Sequence, residues 1–82
     1  SENTYIFEGR TSLNDFLKII GEKYQQDIEL ARGEAETLGG LIIETSGRIL
    51  KNNEYVLIGA LKLIVVSSDK KRVKSVKIVI ND

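Results

Sequence analysis

Apolar residues along the chain follow two rhythms, and the change between them outlines the elements. Residues 4–8 alternate aromatic and aliphatic side chains and stop at Gly9, which predicts a short strand and a turn. Leu13, Phe16, Leu17 and Ile20 then recur at i, i+3, i+4 and i+7, the stripe of an amphipathic helix of about two turns. Ser12 stands where an N-cap hydroxyl satisfies an early N–H, Asp15 suits the positive end of the macrodipole, and Gly21 closes the helix. Residues 22–36 are polar and mostly acidic, with Tyr24, Ile28 and Leu30 as the large apolar or aromatic anchors. Fifteen structureless residues would be long for a compact domain. We therefore expect the first helix to resume for a turn around Tyr24, followed by a true loop to Gly33.

A second helix is predicted from Thr37, which can cap it, through Leu38, Leu41 and Ile42, to Gly47, which can end it in the left-handed region. Gly39 and Gly40 lie inside it, at roughly 1 kcal/mol each relative to alanine. Close approach of the helix to a sheet accounts for them; an anion held at the helix start is the competing reading. No Walker pattern or Gly-x-Gly-x-x-Gly accompanies the pair, and no strand precedes the helix, so packing is preferred. From Tyr55 onward the period becomes two. Residues 55–58 and 61–66 flank Gly59-Ala60, which suits a two-residue II′ hairpin with glycine first. Residues 68–71 make the next turn, and a last strand covers 72–80. Its apolar residues fall at Val73, then Val76, Ile78 and Ile80, so Val73 and Val76 share a core only if a bulge near Lys74-Ser75 absorbs one residue. The resulting fold class is α+β, an antiparallel sheet of about four strands with two helices packed on it, in the order β-α-α-β-β-β.

Composition narrows the chemistry. At 82 residues this is one small domain, and its 41% hydrophobic content suffices for a core. Cysteine and histidine are absent, which removes soft-metal sites, thiol nucleophiles, imidazole acid–base chemistry and Ser-His-Asp triads. The longest apolar runs are about four residues, as in 63–66, far short of the roughly 20 that span a bilayer. The chain begins at Ser1 and contains no methionine, which points to a processed chain or a piece cut from a longer protein, and we adopt the second reading. Net charge is zero, but residues 1–41 hold 4 basic and 8 acidic side chains, whereas 42–82 hold 8 basic and 4 acidic. Packed halves whose solvated faces differ in sign explain this simply; a dipolar docking surface is the sharper reading.

Two constellations compete for a role. Lys70, Lys71, Arg72, Lys74 and Lys77 form the basic cluster. None of the five aromatics, Tyr5, Phe7, Phe16, Tyr24 and Tyr55, falls within it, so nucleic acid is not expected. Lysines guarding an edge strand are the preferred explanation, ahead of an acidic partner surface or the inner leaflet. Glu29, Glu34 and Glu36 would suit a hard cation, yet they lie in a glycine-containing loop without EF-hand order and read as solvated. No catalytic, cofactor-binding or metal-ligating residue is assigned, and enzymatic activity is not expected.

The string Thr37-Leu38-Gly39-Gly40-Leu41, then Gly47-Arg48-Ile49, a hairpin with Gly59, and Arg72-Val73-Lys74-Ser75-Val76-Lys77-Ile78 resembles the CorC/HlyC transporter-associated domain. The likeness spans nearly all of residues 1–82, including the opening strand, glycine and amphipathic helix. It implies a non-catalytic C-terminal module of bacterial membrane proteins in which a transmembrane domain precedes a pair of CBS domains. It also implies a cytoplasmic regulatory or interaction role in magnesium or cobalt transport or efflux, the alternative being a dimerisation module without regulation. The family carries no established catalytic residues, and nothing in these residues supports a flavin site. The chain departs from the family in its longer, more acidic connector and in Asn52-Asn53, which stand where a glycine often sits; asparagine also tolerates the left-handed region. Finally, residues 61–66 place aliphatic side chains on both faces of their strand, while two helical stripes cover one. The second face is then expected to be covered by a second copy in a homodimer, by the CBS pair, or by Ile28 and Leu30 folding over it.

Overall fold

The computed structural model describes residues 3–82. Strand β1 (Thr4–Glu8) leads into α1 (Leu13–Ile20), a 3₁₀ turn (Glu22–Tyr24), α2 (Gln25–Arg32) and α3 (Leu38–Ser46), and the chain ends with β2 (Tyr55–Ile58), β3 (Leu61–Ser68) and β4 (Val73–Ile80). The α+β class and the four-stranded antiparallel sheet are as the periodicity predicts. The connector is not. After the 3₁₀ turn at Tyr24 it forms a third helix, α2, where a loop to Gly33 was expected. Gln, Glu, Leu, Ala and Arg are strong helix formers, and Ile28, fully buried, anchors that helix to the core. Leu30 instead points outward, 81% exposed.

Strand order is β1-β4-β3-β2, so the last strand is inserted between the first and the third. This corrects the edge-strand reading of the basic cluster: β4 is central, and its lysines guard no edge. The bulge is present where expected. Pairing passes from Val65↔Val76 to Ser67↔Ser75 and then Ser68↔Val73, so Lys74 is skipped on β4 and Val66 is skipped on β3. The two irregularities compensate, the overall register survives, and Val73 and Val76 both reach the core. At the β2–β3 hairpin Ile58 pairs with Leu61, and only Gly59 of the two-residue loop has positive φ (56°), as a II′ turn requires. Asn53 takes the left-handed conformation (φ 73°), alone among described non-glycine residues.

All three helices supply the core on one face of the sheet. Leu13, Phe16, Ile28, Leu38, Leu41 and Ile42 from the helices meet Leu61, Leu63, Val65, Val76 and Ile78 from the strands. Phe16 packs edge-on against Phe7, which stacks beside Tyr5 on β1. The far end of β4 is tied to the helical layer, where the Tyr24 hydroxyl donates to Asp82 and Lys23 Nζ lies 2.9 Å from the same carboxylate. Among the described residues no helix is long and apolar enough to cross a membrane.

Candidate functional site

The starts of α1 and α3 are built together. Their capping residues, Ser12 and Thr37, pair as an isolated antiparallel bridge. Ser12 Oγ accepts from Asp15 N and Thr37 Oγ1 from Gly40 N, both at 3.1 Å. Each helix also takes a carbonyl from the other's lead-in chain, Leu13 N donating to Glu36 O and Leu38 N to Thr11 O. Gly39 N donates to Gly9 O at 2.8 Å. Every N–H that an anion would need at the start of α3 is therefore already bonded within the chain: Leu38 to Thr11, Gly39 to Gly9 and Gly40 to Thr37. A shallow cleft of about 250 Å³ does open there between Arg10 and Arg72. Its floor offers no free backbone donor from that first turn, so packing wins over the anion reading.

The glycines divide the packing work unequally. A Cβ on Gly39 would lie 3.2 Å from Gly9 O and 3.3 Å from Val73 O, so Gly39 is the helix's closest approach to the sheet. Gly40 faces Thr37 and Ala35 instead. Sequence reasoning missed the tightest position, Gly9, where a Cβ would fall 2.0 Å from Val73 O. Its burial follows from the crossing of β1, β4 and α3, which no local pattern reveals.

The other candidate residues do not converge. Glu29 pairs with Arg32 at 3.0 Å, while Glu34 and Glu36 are exposed. Among the described residues no three acidic, histidine or cysteine side chains are grouped to hold a metal ion. In the basic cluster, Lys70 to Arg72 lie in the β3–β4 turn. There the Asp69 carboxylate accepts from Lys71 N and Arg72 N, which hold its pKa below the ordinary value. Lys74 is the bulged residue and Lys77 sits mid-sheet. At the α3–β2 connection, Arg48 grips Glu54 with two bonds of 3.0 and 2.8 Å, and Lys51 N adds a third at 2.7 Å. Those donors pull Glu54 down to about 2.

The largest unpartnered feature is the sheet face opposite the helices. By register, one row across it reads Tyr55, Ile64, Lys77, Ile6, and the next reads Leu57, Lys62, Val79, Thr4. Ile6 and Leu57 are each 63% exposed, Tyr55 50% and Val66 43%. Ile28 does not fold over this face, since it lies in the core beneath the helices.

The family model of the transporter associated domain (CorC/HlyC) matches residues 1–82. The chain belongs to that family. Among solved structures, a region from Neisseria meningitidis MC58 named for its association with a Mg2+ and Co2+ transporter (CorC) is 28% identical. It superposes with a TM-score of 0.81 over 98% of this chain and 91% of that one. The transporter-associated domain of a CBS domain protein from Porphyromonas gingivalis shares the fold at 24% identity, TM-score 0.75, covering 100% and 93% of the two chains. So does the domain of a Xylella fastidiosa Temecula1 hemolysin solved with Mg2+ and Mn2+, at 17% identity, TM-score 0.77, covering 100% and 92%. No curated protein matches the chain. The transporter-associated domain thus presents a core sealed on its helical side and an apolar, lysine-bearing face on the other.

Proposed function

We propose that this transporter-associated domain is a non-catalytic regulatory module, carried at residues 1–82 within a longer polypeptide on the cytoplasmic side of a divalent-cation transport or efflux protein with CBS domains. The observation that carries the reading is the open sheet face: a domain with no acidic cluster to hold a metal ion among its described residues, yet with an apolar face left uncovered, is built to be held against something else. The family, and the CorC and CBS-protein names of its relatives, support the setting. The domain acts by contact with the CBS pair or the transmembrane domain, without a cofactor, nucleic acid or insertion of its own into the bilayer.

Deleting the domain from the full-length protein tests this. Altered magnesium or cobalt transport with assembly intact is the expected result. Loss of assembly alone would replace regulation with dimerisation as the role. Unaltered transport and assembly would remove both.

A further inference from the structure

The occupant of the open face is constrained by its charge and its area. Lys62 on β3 and Lys77 on β4 are the cations of the two rows, one in each, surrounded by aliphatic and aromatic neighbours. Glu8, at the margin, is already paired with Arg10. Among the described residues neither lysine has a carboxylate partner; the Lys62 ammonium lies 4.2 Å from the centre of the Tyr55 ring. A two-fold dimer through this face would gather four lysines in one seam with no unpaired carboxylate among the described residues of the face to meet them, which costs affinity. A second copy is therefore the wrong partner, and an acidic one is the complement.

Area decides how that partner is attached. The exposed fractions of Ile6, Leu57, Tyr55 and Val66 amount to roughly 500 Å² of mostly apolar surface, at the upper end for a patch on a monomer. That apolar patch suits the about 600–1,500 Å² total, or about 300–750 Å² a side, of interfaces between domains of one chain. A tethered partner, present at about millimolar effective concentration, needs no larger surface.

We infer that the open face is the docking site for a neighbouring domain of the same polypeptide, which presents an apolar patch with carboxylates set against Lys62 and Lys77. This rests on the module reading above. The test places a photocrosslinking benzoylphenylalanine at Leu57 in the full-length protein in its membrane and maps the product by mass spectrometry. Expected is an intramolecular crosslink to an acidic segment, reduced at least about tenfold by Lys62→Glu with Lys77→Glu and retained in the Lys→Arg pair. Both lysines lie on the solvent face, so a thermal melt should show the charge-reversed domain folded; the arginine pair reports on docking in any case. A crosslink to a second copy, to another protein or to lipid, no crosslink, or a yield indifferent to charge reversal would overturn the proposal. Altered transport on domain deletion without a crosslink at Leu57 removes the docking site and leaves the module reading standing. A charge-sensitive crosslink with unaltered transport does the reverse.

Discussion

Replacing Gly9 with alanine puts a methyl group where β1, β4 and α3 meet. The Gly9 N–H donates to Lys74 O and its carbonyl accepts from Gly39 N, both at 2.8 Å. The new Cβ would lie 2.0 Å from Val73 O and 2.8 Å from Val73 C, atoms of the backbone that cannot rotate away. Relief requires β1 and β4 to separate by more than about 1 Å, which strains the packing and weakens at least one of the two bonds. Overpacking costs about 1–3 kcal/mol and each lost bond about 0.5–1.5, so the expected destabilisation is about 2–4 kcal/mol. A chain of this size has roughly 4–12 kcal/mol in total, so Tm should fall by on the order of 10–25 °C. Urea and thermal denaturation followed by circular dichroism measure it. Gly40→Ala is the internal comparison: its Cβ meets the Thr37 hydroxyl at 3.2 Å and Ala35 Cβ at 3.3 Å, and helix propensity offsets the crowding, so its change should stay within about 1 kcal/mol. A Gly9→Ala protein melting within about 2 °C of the parent would refute the close-approach argument.

Ile28→Ala should cost about 2–5 kcal/mol because Ile28 is fully buried, whereas Leu30→Ala, two residues away on α2, should stay within about 0.5 kcal/mol; equal urea midpoints would mean that α2 does not anchor as described. Thr37→Ala removes the cap of α3 and should cost about 1 kcal/mol by the same measurement. Glu54 is lowered from the ordinary 4.5 to about 2, so its contribution is complete above 4.5 and is lost as pH falls towards 2. The stability gap between the parent and Glu54→Gln should therefore close across that window, and a gap unchanged at pH 2 would contradict the pairing with Arg48. Calorimetric titration with magnesium, FAD or ATP should give no affinity tighter than about millimolar, because the described residues group no three acidic, histidine or cysteine side chains as ligands; micromolar binding of any of them would reopen the question of a site.

Local rhythm was enough to read α1, α3, the II′ hairpin and the bulge at Lys74, because each depends on residues within a few positions of one another. The 3.6-residue stripe, the capping hydroxyls of Ser12 and Thr37, and a glycine free to adopt positive φ all act inside one element. Even the chain's family was legible, since the motif around Gly39-Gly40 and the β4 pattern lie in contiguous stretches. Helix α2 was hidden because its polar residues carry helix propensity without a stripe, and a single buried Ile28 gives no period. What only the tertiary structure decided is strand order. Bringing β4 between β1 and β3 pairs residues some seventy positions apart, a choice made by the shared core and not by local preference. That choice turned Lys77 from an edge guard into the centre of an open face. It also pressed Gly9 against the Val73 carbonyl and left the first turn of α3 no free donor for an anion. Side-chain alternation tells which residues share a face of a strand; which face the helices cover, and what remains for a partner, follows from how the whole chain closes around its core.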